Sequence, residues 1–166
     1  MLVIRNAMLD DLDSITKIYN DAIINTVATF DTEIKTIEEQ IQWFEGHGKK
    51  NPILVAEDNG IVIGWAALSK YSTRCAYSNT AEISLYVRKK DQGKGIGKKL
   101  MESIIKEGKK AGLHVIIARI TDGNKKSIHL HESVGFNHIG IMKEVGNKFG
   151  KCLDVYLMQK IYNDKY

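Results

Sequence analysis

Residues 82–112 read EISLYVRKKDQGKGIGKKLMESIIKEGKKAG, and this stretch decides how the rest of the chain is interpreted. In its first part Ile83, Leu85 and Val87 alternate with more polar neighbours, a period of two that predicts a strand. From residue 96 onwards apolar residues recur at three- and four-residue spacing, which predicts a helix, and Gly112 follows it as a C′ residue. The turn between them, residues 92–98, is rich in glycine and lysine.

A strand, a glycine-rich turn and a helix in succession form a favourable site for a phosphate group. The glycines at 93, 95 and 97 let the backbone approach a ligand closely and adopt positive φ. Amides at a helix start have no partner within the helix, and the helix dipole favours an anion there. Lys94, Lys98 and Lys99 add positive charge. The alternative is an ordinary strand-to-helix turn with a basic exposed face.

Two common phosphate-binding patterns are absent from this turn. The Walker sequence requires Ser or Thr after Gly97-Lys98, and here Lys99 follows. The dinucleotide pattern GxGxxG requires a different glycine spacing and an acidic residue at a strand end about twenty residues later. The pattern that does match is Gln92-x-x-Gly95-x-Gly97.

The whole sequence of 166 residues has the composition of one globular domain, 1–166. A hydrophobic fraction of 43% and a charged fraction of 27% are ordinary, and no apolar run approaches the about eighteen residues of a membrane span. We expect no secretion signal, and because Cys75 and Cys152 form no CxxC pair we expect a cytoplasmic location. The net charge of +4 is modest, and the lysine cluster lacks interleaved aromatics, so neither nucleic acid nor a membrane is expected as a partner.

The hydrophobic pattern along the chain predicts the element order βααββ(βα)(βα)ββ. A capping box, Thr36-x-x-Glu39, opens the second helix, and Asp58-Asn59-Gly60 marks a hairpin between two strands. Two further strands, 136–146 and 151–160, close the chain. Hairpins combined with parallel crossovers predict an α/β fold with a mixed sheet.

The glycine loop resembles the Q/R-x-x-G-x-G/A pyrophosphate loop of the GCN5-related N-acetyltransferase (GNAT) superfamily, which binds acetyl-coenzyme A (acetyl-CoA). Other segments resemble its phosphinothricin and methionine sulfoximine N-acetyltransferases. These segments are Phe30-Asp31-Thr32-Glu33, Arg74-Cys75-Ala76-Tyr77, Thr80-Ala81-Glu82, Ser127-x-x-Leu130-His131-Glu132-Ser133-x-Gly135-Phe136 and Lys148-Phe149-Gly150-x-x-x-Asp154-Val155. The resemblance spans nearly the whole chain. It implies the α/β GNAT fold, a mixed, mostly antiparallel seven-stranded sheet flanked by about four helices, and a homodimer with the last strands near the interface.

The resemblance also implies two catalytic residues. Glu82 lies where the family places its general base, and a carboxylate there can take the proton of an incoming ammonium group. The alternative is a glutamate in a surface ion pair. His131 replaces a tyrosine that many acetyltransferases use as an acid, and imidazole can serve as acid or base; the alternative is a helix histidine with a structural role. His129 and His131 are not spaced as a metal pair, so no metal is expected.

The same resemblance assigns an acetyl-CoA site. The backbone amides of Leu85, Tyr86 and Val87, at a bulge in the strand, are expected to bind the pantetheine arm and the oxyanion. The pyrophosphate loop comprises Gln92, Gly93, Lys94, Gly95, Ile96, Gly97 and Lys98. Asn124 is expected to contact the coenzyme, although a plain helix N-cap explains it nearly as well. Ser127 and Ser133 are further candidates for this surface.

Five residues are expected on the acceptor side. Arg74 suits a carboxylate, because a guanidinium binds one through two parallel hydrogen bonds; the alternative is a solvated loop arginine. Tyr77 is expected to close the pocket and Phe30 to form an apolar wall. Lys148 and Asp154 are expected in the turn on the substrate side.

Together these features predict direct transfer of acetyl from acetyl-CoA to the amino group of a small amino acid or analogue, of the phosphinothricin or methionine sulfoximine and sulfone type. Many relatives have a second arginine where this chain has Ser72, which indicates a different or broader amino-acid substrate. Two alternatives stay open. The acceptor is another amine, such as a protein N-terminus, a polyamine or an aminoglycoside, or the chain is a non-catalytic coenzyme-sensing module. The intact Glu82 and glycine loop argue against the second.

Overall fold

A seven-stranded sheet organises the chain, with its strands in the spatial order β1-β2-β3-β4-β5-β7-β6. The computed structural model describes residues 1–163, so the last three residues of the predicted domain 1–166 lie outside the described residues. The strands are β1 (Leu2–Asn6), β2 (Ile53–Asp58), β3 (Ile61–Lys70), β4 (Thr80–Val87), β5 (Val115–Thr121), β6 (Asn137–Lys148) and β7 (Lys151–Ile161). The α-helices are α1 (Leu12–Asn25), α2 (Ile37–Glu45), α3 (Ile96–Lys110) and α4 (Lys125–Ser133).

Strand pairing confirms the predicted mixed sheet. β4 and β5 are parallel, and every other neighbouring pair is antiparallel. The crossover between β4 and β5 is α3, and α4 leads from β5 to the final hairpin, in which β7 inserts between β5 and β6. The element order is the one predicted from the hydrophobic pattern.

The capping box and the hairpin turn that the sequence predicts are both present in the structure. Thr36 accepts a hydrogen bond from the Glu39 amide at 3.2 Å, and the Glu39 carboxylate accepts one from the Thr36 amide at 2.8 Å, which completes the capping box of α2. Asn59 and Gly60 both have positive φ, 50° and 79°, as a tight turn between β2 and β3 requires.

The two faces of the sheet carry different helices. On one face α3 buries Leu100, Met101 and Ile104 against a core that includes Ile83 of β4. On the other face α1 packs against a cluster that includes Trp65 of β3, and Tyr86 of β4 packs on the same cluster. Because side chains alternate along a strand, Glu82 and Ser84 share the α1 face with Tyr86.

β4 and β5 separate part-way along their length. Their parallel ladder pairs Thr80–Glu82 with residues 115–117 and stops there, while β4 continues to Val87. The predicted bulge in β4 is wrong: the β3–β4 register runs from Gly64↔Val87 to Lys70↔Ala81 without a shift. The opening beside β4 therefore results from the departure of β5. Within residues 1–163 no helix is long and apolar enough to cross a membrane.

Candidate active site

The hydrogen-bonding phase of β4 decides which of its amides face the opening. The Arg88 amide donates to the Ile63 carbonyl at 2.8 Å, and the Thr80 carbonyl accepts a hydrogen bond from the Tyr71 amide at 3.4 Å. These bonds mark both ends of the β3–β4 ladder. Because hydrogen bonding alternates along an antiparallel pair, the even-numbered residues of β4 turn their N–H and C=O groups towards β3.

The odd-numbered residues of β4 face the opening. The amides of Leu85 and Val87 point away from β3, and the Val87 carbonyl accepts a hydrogen bond from the Gln92 side chain at 3.0 Å. Tyr86 was predicted as a third amide donor. That prediction is wrong, because its amide belongs to the β3–β4 ladder, and Tyr86 contributes a side chain instead.

The glycine loop leads into α3 and presents the start of that helix. Gly95 is the N-cap residue with φ 79° and ψ 0°, a left-handed conformation that favours glycine, and Gly93 has the same φ. The amides that follow Gly95 have no partner within the helix, because they belong to its first turn. No side chain of the described residues caps α3 in their place. Asp91 stabilises the glycine loop through two ion pairs, one with Lys94 Nζ at 2.9 Å and one with Arg88 Nε at 2.5 Å. These two cations hold the pKa of Asp91 below its usual value, Lys94 having the larger effect.

Two adjoining cavities extend from this loop to Glu82. The first, which we call the glycine-loop cleft, has a volume of about 640 Å³ and is lined by Val87, Gln92, Gly93 and Gly97 among others. The second, the Glu82 cavity, has a volume of about 470 Å³. Both are lined by the same junction residues: Ala28, Leu85, Tyr86, Asn124, Ser127 and Leu130. A ligand bound at the start of α3 can thus reach Glu82 past the free amides of β4.

Glu82 forms an ion pair with Arg119 on the wall of its cavity. Arg119 Nε donates to Oε1 of Glu82 at 2.8 Å, and Nη2 donates to Oε2. The hydrogen bonds to the carboxylate raise the pKa of Arg119 above its usual value. The predicted strand-end glutamate is therefore both a cavity residue and a member of an ion pair.

Comparisons with known proteins show which family the chain belongs to. The family model of the acetyltransferase (GNAT) domain matches residues 4–157. The chain belongs to the GNAT acetyltransferase family. The L-amino acid N-acyltransferase MnaT of Escherichia coli is 39% identical over 157 residues, which cover 94% of this chain and 91% of that protein. The L-methionine sulfoximine/L-methionine sulfone acetyltransferase of Pseudomonas aeruginosa is 40% identical over 158 residues, which cover 94% of this chain and 92% of that protein.

A solved GNAT structure extends the comparison to three dimensions. It is the GNAT superfamily phosphinothricin acetyltransferase from Sinorhizobium meliloti in complex with AcCoA, and it matches with a TM-score of 0.93 and 36% identity. The match covers 96% of this chain and 88% of that chain. The predicted superfamily, its phosphinothricin and methionine sulfoximine subgroup and the GNAT fold are confirmed, and the chain is an N-acetyltransferase by family.

His131 lies in the Glu82 cavity with a defined tautomer. It is 6% exposed, and its Nδ1 lies 2.7 Å from the Ser127 carbonyl oxygen, which can only accept a hydrogen bond. Nδ1 therefore carries the proton, and the lone pair of the neutral ring lies on Nε2. Burial lowers the pKa of His131. At neutral pH this GNAT residue is consequently better suited to accept a proton than to donate one.

Of the other residues predicted to bind the coenzyme, some line the two cavities and others do not. Asn124 and Ser127 line both cavities, and Asn124 also caps α4 by accepting a hydrogen bond from the Ser127 amide at 3.3 Å. Ser133 lines neither cavity, and its hydroxyl donates to the Leu130 carbonyl at 2.7 Å. Ile96 is buried in the core. Lys98 and the Lys94 ammonium, which pairs with Asp91, do not line the cleft.

Phe30 lines the Glu82 cavity, and its predicted contact with substrate stays a prediction. The loop that carries Phe30 is held by distant residues. Lys148 is 4% exposed, and its Nζ donates to the Thr29 carbonyl at 2.7 Å. Thr121 Oγ1 donates to the Val27 carbonyl at 2.6 Å. An added Cβ at Gly146 would lie 2.1 Å from the Phe30 ring, so glycine leaves the room that the ring needs.

Asp154 supports the same cavity from β7. Between Met142 and Gly146 the β6 strand has a register shift, and the Asp154 carboxylate accepts hydrogen bonds there from the Glu144 amide at 2.7 Å and from Lys143 Nζ at 2.8 Å. Met142 and Val145, at this shift, line the Glu82 cavity. Lys148 and Asp154 themselves do not line it, so direct contact of these two residues with substrate stays a prediction.

Arg74 and Tyr77 lie on an exposed segment between β3 and β4. Neither residue lines the Glu82 cavity. The Tyr77 ring packs edge-on against Tyr71 with centroids 5.2 Å apart, and Tyr71 is among the groups that raise the pKa of Arg119. Their predicted roles in acceptor binding remain predictions.

Arg119 and the Tyr86 side chain line the Glu82 cavity although no sequence motif points to them. Arg119 is the one charged residue in VIIARIT, the sequence of β5, and a lone charge in an apolar strand was the available signal. Tyr86 packs with its ring 5.0 Å from that of Trp65, and burial raises its pKa to about 12, so its hydroxyl stays protonated.

Among residues 1–163 no group of His, Cys, Asp and Glu is arranged to hold a metal ion.

Proposed function

We propose that this GNAT chain transfers acetyl from acetyl-CoA to the amino group of a small amino acid or analogue, of the methionine sulfoximine, methionine sulfone or phosphinothricin type. One observation carries the proposal: two adjoining cavities that share six lining residues extend from the uncapped start of α3 to Glu82, past the outward amides of Leu85 and Val87. The acceptor class is supported by the names of two similar enzymes, which refer to L-amino acids and to methionine sulfoximine and sulfone.

The residues of the glycine-loop cleft fit acetyl-CoA. The uncapped amides of α3 suit the pyrophosphate. An added Cβ at Gly97 would meet protein atoms only at 3.5 Å or more, so protein packing does not require a glycine there. The outward edge of β4 suits the amide-bearing pantetheine arm, which can pair with it as an added strand. Bound acetyl-CoA supplies the thioester carbonyl that the amine attacks.

Glu82 acts as the general base in this proposal. The acceptor arrives mainly as ammonium, and Glu82 takes its proton. Two hydrogen bonds from Arg119 leave this possible, because an ionised carboxylate offers about four lone-pair sites. The amides of Leu85 and Val87 donate to the charge that develops on the carbonyl oxygen. As the C–N bond forms, the C–S bond of the thioester breaks and CoA leaves as its thiolate. His131, which lines the same cavity with a lone pair on Nε2, takes the second proton that the amine nitrogen loses.

The first experiment measures thiol release from acetyl-CoA with a panel of acceptors. The panel contains methionine sulfone, methionine sulfoximine, phosphinothricin, common amino acids, spermidine and an aminoglycoside. We expect release with the amino acids and their analogues. Release only with the polycations would overturn the acceptor class, and tight coenzyme binding without any release would favour the sensing module.

A substitution tests the base. Glu82→Gln should lower kcat by about 100-fold or more, the usual contribution of a general base, without changing acetyl-CoA binding. Glu132→Gln is the matched control, because Glu132 is exposed on α4, lines neither cavity and pairs with His138. Equal kcat values for wild type and Glu82→Gln would reject this assignment.

The proposal includes the setting of the enzyme. We propose one domain over residues 1–166, a homodimer and a cytoplasmic location. Cys75 and Cys152 are exposed and free, which suits a reducing compartment.

A further inference from the structure

The ion pair between Glu82 and Arg119 stands on the cavity wall rather than in the core. In the parallel ladder Glu82 is the partner of Ile117, and Arg119 lies two residues further along β5 on the same side. The exposed fractions of the two side chains are 25% for Glu82 and 52% for Arg119, and both line the Glu82 cavity. A ligand that enters the cavity therefore meets both charges together.

Because the ion pair is partly exposed, Glu82 and Arg119 can exchange each other for the charged groups of a ligand. Exposed pairs contribute little to stability, because water solvates both charges when they separate. Within the part of the chain that the structure describes, Arg119 makes two hydrogen bonds, both to Glu82, although a guanidinium carries five N–H donors. The guanidinium thus has donors that remain available for a second carboxylate.

The charges of the pair match those of a free α-amino acid. Such a molecule carries an ammonium and a carboxylate on one carbon, and each finds its opposite charge in this pair. We propose that Arg119 is the binding residue for the α-carboxylate of the acceptor, while Glu82 receives its α-ammonium. This inference rests on the proposed function, which it deepens by assigning the feature that the enzyme recognises.

The assignment has a consequence for acceptor choice. When a zwitterion binds, Glu82 and Arg119 both keep a counter-charge. When a polyamine or a protein N-terminus binds, Glu82 is engaged and Arg119 faces a second cation or no charge at all, which costs binding energy. Free amino acids are therefore preferred over amines that lack a neighbouring carboxylate.

The test compares an acid with its uncharged amide. The acceptors are L-methionine sulfone and its α-carboxamide, and the proteins are wild type, Arg119→Gln and Arg119→Lys. We expect Arg119→Gln to raise the KM of the acid by about 10- to 100-fold, the range for loss of a charged hydrogen-bonded partner. The KM of the carboxamide and that of acetyl-CoA should change less than about threefold. Arg119→Lys should recover part of the loss for the acid, because it restores the charge without the planar fork.

Several outcomes would overturn the assignment. An equal rise of KM for acid and carboxamide would mean that Arg119 only positions Glu82. An unchanged KM for the acid, or a rise in Arg74→Gln with none in Arg119→Gln, would place the carboxylate elsewhere. Unfolding temperatures of the variants exclude loss of folding as the cause.

Equilibrium binding separates this inference from the proposed function. Titration calorimetry of protein saturated with CoA measures the affinity for acid and carboxamide without any acetyl transfer. If no amine is acetylated, the proposed function fails, yet weaker binding of the acid alone in Arg119→Gln still supports the carboxylate site. Equal affinities of the wild type for acid and carboxamide, or binding of neither, would overturn it.

Discussion

At the scale of single residues, burial of His131 sets the direction of its chemistry. Its Nδ1 proton is committed to the Ser127 carbonyl, its ring stacks edge-on against Phe136 with centroids 5.0 Å apart, and burial lowers its pKa. A protonated His131 would carry a charge that burial shields from water. The neutral ring is therefore the form that the folded protein favours.

The pKa shift of His131 predicts how stability depends on pH. An unfolded histidine titrates near 6.5 and the folded one at lower pH, so between these values the unfolded chain binds more protons. The contribution to stability is thus complete above 6.5 and is lost as the pH falls towards the folded pKa. His131→Gln should flatten the decline of unfolding free energy between about pH 7 and pH 5, as measured by urea denaturation.

Two other histidines serve as references for that experiment. Burial also lowers the pKa of His47, so part of the decline should persist in His131→Gln. His129 is exposed on α4, and His129→Gln should retain the full decline of the wild type. An identical slope in wild type and His131→Gln would contradict the prediction.

Individual site residues differed in how far the sequence could reveal them. Glu82 and His131 follow from motifs, because their neighbours in the chain define their positions. Arg119 does not, because its meaning comes from Glu82, 37 positions away, across the β4–β5 pair. Only the register of two strands shows that the lone arginine of β5 and the candidate base share one cavity.

At the scale of elements, the start of α3 depends on the left-handed conformation of Gly95. Gly95→Ala should lower the free energy of unfolding by about 1 kcal/mol, because a Cβ is disfavoured at positive φ. It should also weaken acetyl-CoA binding, since a shifted N-cap misdirects the free amides. Urea denaturation and calorimetric titration with acetyl-CoA measure the two effects.

Gly60→Ala is the matched control for Gly95→Ala. Gly60 has the same φ of 79° but lies in the turn between β2 and β3, away from both cavities. It should show a similar loss of stability with unchanged coenzyme affinity. Unaltered affinity in Gly95→Ala as well would separate the α3 start from phosphate binding.

The positions of the strands and helices were easier to predict from the sequence than the direction in which each strand amide points. Over residues 1–163, periodicity located the seven strands and the four α-helices, because it depends on near neighbours. The amide of Tyr86 was assigned to the opening, whereas the ladder turns it to β3, and the expected bulge of β4 does not occur. Both errors concern the phase of a strand, which its partner strand decides.

At the scale of the whole molecule, β6 is an edge strand with exposed apolar side chains. Ile139 and Ile141 are each about half exposed. An open edge with such side chains favours association, and the proposed homodimer would cover it. We predict a mass in solution of twice the 18.7 kDa of the chain.

Light scattering after size-exclusion chromatography tests the dimer. The double variant Ile139→Lys/Ile141→Lys should yield the monomer mass, because two ammonium groups would be buried at the contact. Ile61→Lys changes an exposed isoleucine of β3 instead and should leave the mass unaltered. A monomeric wild type, or a double variant that stays dimeric, would remove β6 from the interface.

The overall topology was predictable because the motifs appear in a fixed order along nearly the whole chain. The parts played by Lys148 and Asp154 within the fold were not. Both belong to a motif that is expected on the acceptor side, yet one anchors the loop at Thr29 and the other holds the register shift of β6. Such roles depend on contacts over more than a hundred residues or on a local irregularity, and neither leaves a pattern in the sequence.

The anchoring of the Phe30 loop also has a consequence for protein synthesis. The loop lies near the start of the chain, while its clamps, Thr121 and Lys148, are 94 and 119 positions downstream of the carbonyls that they bind. During translation the first helices leave the ribosome long before either clamp exists. The Glu82 cavity therefore takes its final shape only as the last strands emerge, and a chain that ends before Lys148 lacks one of the two side-chain anchors of the Phe30 loop.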